Sequence, residues 1–332
     1  MNILNRLTVI GGGSWATALV KIFSESRVSV KWHLRSPAYA DHVRQQGRNP
    51  NYLSFLQLRT DHVDPTADLE EAILASDYIL FAVPSAYLEN TVAGIRPEWM
   101  ENKKLILSIK GIVSGRRQIP SDFLGQQFGI GADDQLVIGG PCHAEEIALE
   151  RKTYMTVASG QEALARSVAD SITVPYVKTI VNTDPLGVEL CAILKNIIGI
   201  ACGIARGLNY GDNFQAVIVA NAMREMRHFL RAADPVERDL THSAYFGDLF
   251  VTAYSEFSRN RTFGQMIGRG YSVQSAQLQM SMVAEGYYGV EGIYEMARRL
   301  KVEMPVVAAV YRILYDRISP FVEFRLLENK LV

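Results

Sequence analysis

The first residues with evident chemistry are Gly11, Gly13 and Ala16, spaced as Gly-x-Gly-x-x-Ala. That spacing suits a nucleotide pyrophosphate. Gly11 permits a tight turn, Gly13 lets phosphate approach the backbone, and Ala16 keeps helix and strand close. The helix start behind them offers free N–H groups and a positive dipole. A merely structural glycine turn is the plainer alternative. About 20 residues on, a carboxylate would mark an NAD site. The chain reads Lys31-Trp32-His33-Leu34-Arg35-Ser36 there. Arg35 could instead grip a 2′-phosphate, which predicts a preference for NADPH; otherwise it is a solvated loop residue.

Lys195 stands in Leu190-Cys-Ala-Ile-Leu-Lys-Asn-Ile-Ile-Gly-Ile-Ala-Cys-Gly-Ile-Ala205, where only Lys195 and Asn196 are polar. A helix apolar all round is buried. A buried amine without a full partner has its pKa pulled down, into the range of proton exchange at neutral pH. The plainer alternative is a lysine that snorkels to the helix edge.

Asp248 and the run Ser258-Arg259-Asn260-Arg261 form a third group, expected about three helical turns apart. Arginine's fork with the short Ser and Asn donors has the chemistry of a phosphate cradle. The same run could be a polar helix C-terminus whose arginines complement the dipole. Both readings stay open on pattern alone. Lys110 follows the strand expected over 105–109, and Gly140 and Cys142 follow the one expected over 136–138. Carboxyl ends of parallel strands are where open sheets bind ligands. His143 reads as a loop residue, and Cys142 lacks an activating partner for a nucleophilic role.

These residues need elements to hold them. Short β-branched runs predict strands over 7–10, 28–32, 78–83, 105–109, 136–138, 154–158 and 176–181. Helical patterns over 15–24, 68–75, 144–151 and 162–172 alternate with them. Such alternation implies a largely parallel sheet covered on both faces. The pattern changes at Asp184-Pro185, an N-cap followed by proline at the first helical position. Beyond it only helices are expected, over 185–206, 213–232, 247–258, 273–284, 287–300 and 305–318. The expected fold is α/β: a doubly wound Rossmann domain over 1–184, then an all-α domain over 185–332. No Gly/Ser-rich linker separates them, so the first long helix is expected to join them directly.

A length of 332 residues agrees with two domains at about 150 residues each. Apolar residues at 48% and charged residues at 21% exclude disorder, collagen and coiled coil. Lys and Arg total 34 against 35 Asp and Glu. This balance leaves no broad field for nucleic acid or an anionic membrane. Three cysteines, Cys142, Cys191 and Cys202, lack a C-x-x-C pattern, which argues against a disulfide framework or zinc site. On one helix Cys191 and Cys202 would lie roughly 16 Å apart, beyond bridging distance. A reducing, cytoplasmic compartment fits, and no metal is expected. Residues 7–20 superficially resemble a signal peptide, but Gly11–Gly13 would break its helix. No apolar run is expected to reach the roughly 20 residues of a membrane span.

Eight motifs, in order, cover nearly the whole chain: Gly-Gly-Gly-Ser-Trp-Ala-Thr-Ala (11–18), Ser-Ile-Lys-Gly (108–111), Gly-Pro-Cys-His-Ala-Glu-Glu (140–146), Leu-Lys-Asn (194–196), Gly-Leu-Asn-Tyr-Gly-Asp-Asn (207–213), Gly-Asp-Leu (247–249), Ser-Arg-Asn-Arg-x-Phe-Gly (258–264) and Val-Ala-Glu-Gly (283–286). The set resembles the bacterial-type NAD(P)-dependent glycerol-3-phosphate dehydrogenases. The resemblance implies a C-terminal domain like that of 6-phosphogluconate dehydrogenase. It implies reversible reduction of dihydroxyacetone phosphate to sn-glycerol 3-phosphate with NADPH or NADH, feeding glycerophospholipid synthesis. It implies a homodimer without stable membrane insertion.

By the same resemblance, Gly11, Gly13, Ser14, Trp15 and Arg35 contact the cofactor, and Lys110, Ala144, Arg259, Val283 and Glu285 also reach it. Lys110, Gly140, Cys142, Asp248, Ser258, Arg259 and Asn260 contact substrate. Lys195 is implied as the proton acceptor and as a substrate contact. Three positions depart from the family pattern: Ala16 for glycine, Cys142 for Ser or Thr, and Tyr245-Phe246-Gly247-Asp248 for Gly-x-Gly-Asp. Two other readings remain. A dehydrogenase of 3-hydroxy acids would have no use for the Ser-Arg-Asn cluster. A non-catalytic NADPH sensor need not keep Lys195, Asp248 and Arg259 together.

Overall fold

A computed structural model describes residues 4–280 and 282–332. Residues 1–3 of the first expected domain, and 281 within the helix expected over 273–284, lie outside them. The chain forms two compact units. One holds residues up to Ile109 together with Pro120–Val188, and the other holds Lys110–Ile119 with Glu189–Val332.

The first unit is built on eight strands: β1 (Arg6–Ile10), β2 (Ser29–His33), β3 (Val63–Thr66), β4 (Tyr78–Phe81), β5 (Lys104–Leu107), β6 (Gln135–Gly139), β7 (Thr153–Ala158) and β8 (Val177–Asn182). Their order is β3-β2-β1-β4-β5-β6-β7-β8. Neighbours are parallel except β6 and β7, which run antiparallel. Helices cover both faces, so the central strands read as nearly continuous apolar runs. Leu7, Val9, Ile10, Ile79, Leu80, Phe81, Leu105, Ile106 and Leu107 are all buried. The order reverses at β1, which pairs β2 on one side and β4 on the other. Such a switch point is where open sheets leave a crevice for a nucleotide.

Strand β3 is absent from the sequence reading. Its residues Val-Asp-Pro-Thr are half polar and contain Pro65. Proline is tolerated because β3 is an edge strand that pairs with β2 alone. Helices Pro37–Gln46, Ser85–Val92, Pro120–Phe128 and Pro320–Glu328 were likewise not expected.

The second unit is organised around the helix Pro185–Gly207, which begins at the end of the first. Asp184 caps it, its Oδ1 accepting from the Gly187 N–H at 3.0 Å. This 23-residue helix is long and apolar enough to cross a membrane, which corrects the expectation that no run reaches that length. Its apolar window is wholly buried within the protein, the state of a core helix. Cys191 and Cys202 both lie on it, and all three cysteines are buried and outside any disulfide among the described residues.

Helix Arg259–Gly268 crosses this core helix backbone on backbone. A Cβ at Gly203 would overlap the Arg261 carbonyl oxygen, and one at Gly264 would overlap that of Ile200. Only glycine allows this approach, which seats the Arg259–Gly268 helix on the Ile200–Gly203 stretch of the core helix.

The helix expected over 247–258 is broken. A single π turn, Ser243–Gly247, leads into helix Asp248–Tyr254, and the chain leaves the helix at Ser255. The helix expected over 273–284 stops at Gln279. Val283 therefore sits in the loop before helix Glu285–Leu300.

Candidate active site

In the first unit, Gly11 closes β1 with φ +135°, where side chains are rarely tolerated. A Cβ there would also overlap the Ala82 carbonyl oxygen. The Gly11 carbonyl accepts from Trp32 Nε1 at 2.6 Å, tying the turn to β2. Helix Ser14–Glu25 starts at Gly13, which supplies no side-chain cap. A Cβ at Gly13 would meet nothing within 4 Å, so the backbone here faces open space. Uncapped N–H groups, the helix dipole and open space fit a phosphate.

Trp15 Nε1 donates to Ser108 Oγ at 2.7 Å, and Ser108 Oγ donates to the Ile138 carbonyl at 3.2 Å. The indole is thereby fixed against the ends of β5 and β6. Arg35 is exposed two residues beyond β2, and no acidic side chain stands among residues 33–36. Gly140 has φ +106°. Cys142 is buried and its thiol donates to the Gly140 carbonyl at 3.1 Å. His143 occupies the cap position of helix Ala144–Ala148, so Ala144 is that helix's first residue.

The second unit gathers the charged residues. Lys195 is 5% exposed and Asp248 1%. Lys195 Nζ lies 2.5 Å from Asp248 Oδ1. Lys110 Nζ lies 3.8 Å from Asp248 Oδ2, which accepts no hydrogen bond among the described residues. Two lysine side chains thus meet one buried carboxylate. Lys195 does not snorkel to the helix edge. Nor is it unpartnered, as the sequence reading assumed: the Asp248 carboxylate stands beside it.

Asn196 is buried because it has a task. Its Nδ2 donates to the Lys110 carbonyl at 2.7 Å. Thr252 lies one helical turn after Asp248. Its hydroxyl is buried with no hydrogen-bond partner among the described residues. Sequence reasoning missed Thr252; its only signal was the four-residue spacing from Asp248. A buried hydroxyl and a buried carboxylate oxygen that accept or donate no hydrogen bond among the described residues are what a polar ligand would satisfy.

Ser258 starts the helix Arg259–Gly268. Its Oγ accepts from the Arg261 N–H at 3.3 Å. The Ser-Arg-Asn-Arg run is therefore a helix N-terminus, and the reading as a polar C-terminus is overturned. Arginine at that end opposes the dipole, which an anion would relieve. No acidic residue stands in this helix's first turn. Arg259 is exposed, its Nη1 3.7 Å from the Met282 thioether. Asn260 Oδ1 accepts from the Gly286 N–H at 2.9 Å, which joins this segment to Val283 and Glu285 at the start of helix Glu285–Leu300.

Lys110, Lys195, Asp248, Ser258, Arg259, Asn260, Val283 and Glu285 thus belong to the second unit, and Gly11, Gly13, Ser14, Trp15, Arg35, Gly140, Cys142 and Ala144 to the first. Among the described residues no group of three His, Cys, Asp or Glu side chains could hold a metal ion. The charged cluster offers proton exchange at Lys195 and anion binding at Arg259.

Residues 6–165 match the family model of the NAD-dependent glycerol-3-phosphate dehydrogenase N-terminus, and residues 184–323 match that of its C-terminus. Glycerol-3-phosphate dehydrogenase [NAD(P)+] 1 of Salinibacter ruber is 37% identical over 319 residues, covering 96% of this chain and 93% of that protein. The enzyme of that name from Syntrophomonas wolfei is 35% identical, covering 93% of this chain and 90% of its own. Among solved structures, glycerol-3-phosphate dehydrogenase from Coxiella burnetii superposes with a TM-score of 0.90 at 26% identity, covering 97% of this chain and 98% of that one.

Proposed function

The chain belongs to the NAD-dependent glycerol-3-phosphate dehydrogenase family, and from that premise we propose that it reduces dihydroxyacetone phosphate reversibly to sn-glycerol 3-phosphate. The observation that carries the reading is the Lys195–Asp248–Lys110 cluster, held in one unit with an arginine-bearing helix N-terminus.

The glycine turn, the uncapped start of helix Ser14–Glu25 and the open space at Gly13 fit a dinucleotide pyrophosphate. Gly11, Gly13, Ser14 and Trp15 would hold it, with Arg35 on a 2′-phosphate. The chemistry that a reduced nicotinamide would supply, when bound, is hydride for a carbonyl carbon. The remaining work falls to side chains. Arg259, Asn260 and the Ser258 cap hold the substrate phosphate at the helix N-terminus. Lys195 delivers a proton from Nζ to the C2 oxygen, and takes it back in the reverse direction. Lys110 adds positive charge where that oxygen becomes anionic. Asp248 keeps the Lys195 amine oriented, and Asn196 keeps the Lys110 backbone in place.

Three buried cysteines outside any disulfide support a reducing, cytoplasmic setting. Family membership supports a homodimer whose product feeds glycerophospholipid synthesis. The deciding experiment incubates the protein with NADPH and dihydroxyacetone phosphate and follows nicotinamide absorbance. Loss of absorbance that requires both protein and substrate is expected. Binding of NADPH without turnover would leave the sensor reading, and turnover only with a 3-keto acid would leave the other dehydrogenase class.

A further inference from the structure

Asn49 lies outside every motif considered above, yet it is 2% exposed and all of its amide's polar atoms are engaged. Nδ2 donates to the Gly12 carbonyl at 3.0 Å and to Thr17 Oγ1 at 2.8 Å. Oδ1 accepts from the Asn51 and Tyr52 N–H groups at 3.0 and 3.2 Å. Thr17 Oγ1 donates in turn to the Gly13 carbonyl at 2.9 Å. The Gly12 carbonyl is therefore held from behind by Asn49, and the Gly13 carbonyl by Thr17, through its N–H at 3.0 Å as well as its hydroxyl.

The consequence follows from peptide geometry. No cis bond occurs among the described residues, and in a trans peptide the C=O and N–H point in opposite directions. Fixing the Gly12 carbonyl on Asn49 turns the Gly13 N–H away from it. Fixing the Gly13 carbonyl on Thr17 does the same for the Ser14 N–H. The first of these donors belongs to the residue whose missing Cβ leaves open space. Were either peptide to rotate, it would present a carbonyl oxygen to a phosphate, replacing attraction by repulsion.

We infer that Asn49 is a positioning residue for the nucleotide pyrophosphate, orienting the Gly13 and Ser14 donors through the Gly12 carbonyl and Thr17. The inference rests on the nucleotide-binding reading of the glycine turn. Only an amide side chain can serve. Aspartate has no donor for Gly12 and Thr17, and an apolar side chain also abandons the Asn51 and Tyr52 N–H groups.

The test compares the wild-type protein with Asn49→Ala and Thr17→Val. NADPH dissociation constants come from nicotinamide fluorescence, and KM for each substrate and kcat from steady-state rates. Loss of the preset donors should weaken NADPH by about tenfold in Asn49→Ala, at roughly one hydrogen bond's net worth per oriented group. Thr17→Val removes the relay without touching the Asn51–Tyr52 turn, and should weaken NADPH severalfold. In both, kcat at saturating NADPH and KM for dihydroxyacetone phosphate should stay near wild type. NADPH affinity unchanged in both variants would overturn the inference. So would a fall in kcat with every KM unchanged, the mark of a smaller folded fraction. Should Asn49→Ala fail to fold, Thr17→Val decides alone. A wild-type protein that binds neither NADPH nor NADH would overturn the underlying reading, and this inference with it.

Discussion

Asn196 Nδ2 lies 2.7 Å from the carbonyl oxygen of Lys110, so the residue next to Lys195 on the core helix holds the backbone of the second lysine. One turn of one helix thereby sets both amines around Asp248. This explains why two polar residues stand side by side in an otherwise apolar helix. Each completes a contact that its burial would otherwise make costly.

Replacing Lys195 by methionine keeps volume and removes the proton donor. Turnover should fall by about 10²–10⁴-fold, the range of a lost general acid. NADPH affinity should hold, because Lys195 is not part of the glycine turn. Stability should also drop, because Asp248 loses its nearer partner; breaking a buried pair costs about 3–5 kcal/mol. Absorbance assays, fluorescence titration and urea denaturation measure the three effects. Near-normal turnover in Lys195→Met would remove the proposed role.

Much of this arrangement was legible in the sequence. Lys195 could be read as buried because its neighbours at three- and four-residue spacing are apolar. The glycine turn could be read because a strand precedes it and a helix follows. The Asp248–Lys195 pair could not, since 53 residues separate them and only tertiary packing joins them. Nor could the role of Gly203 and Gly264, whose backbones meet another helix rather than a turn. The direction of the Ser-Arg-Asn-Arg helix was ambiguous for a local reason. Ser258 caps a new helix only because the chain breaks at Ser255, and no proline or glycine marks that break.

Arg259→Ala should act on the phosphate. A charge-assisted hydrogen bond is worth about 1.5–3 kcal/mol, or about 10–100-fold in kcat/KM. The same substitution should barely alter the slow reaction of dihydroxyacetone, which has no phosphate. Steady-state kinetics with both substrates provide the comparison, and equal losses would defeat the assignment.

Arg35→Asp should exchange a 2′-phosphate partner for a 2′-hydroxyl partner. Wild type should favour NADPH. In the variant the NADPH-to-NADH ratio of kcat/KM should fall by tenfold or more, about the worth of one charge-assisted contact. A wild-type preference for NADH, or an unchanged ratio, would count against Arg35.

Gly203→Ala should destabilise the helical unit. The new methyl meets the Arg261 carbonyl, and overpacking of this kind costs about 1–3 kcal/mol. Because the displaced helix begins at Ser258 and Arg259, KM for dihydroxyacetone phosphate should rise as well. Urea denaturation and steady-state kinetics would show whether the two effects travel together; wild-type values in both would refute the crossing's role.

Glu225 predicts how stability depends on pH. It is buried, with Oε1 accepting from the Val306 N–H at 2.7 Å and Oε2 from the Val307 N–H at 3.3 Å, at the start of helix Pro305–Leu314. Burial pushes its carboxyl up from 4.5 to about 7, against the pull of those two N–H groups and of Arg224. A group that binds its proton more tightly when folded stabilises the fold fully below its unfolded pKa, and loses that contribution as pH rises through the folded one. The window is therefore about pH 4.5 to 7, and the contribution lost across it is on the order of 3 kcal/mol at about 1.4 kcal/mol per unit. Glu225→Gln has no proton to lose and keeps an oxygen for Val306. Its stability relative to wild type should rise from pH 5 to about pH 7 and level off above that, as followed by urea denaturation at each pH. Parallel curves over that range would show that Glu225 does not titrate there.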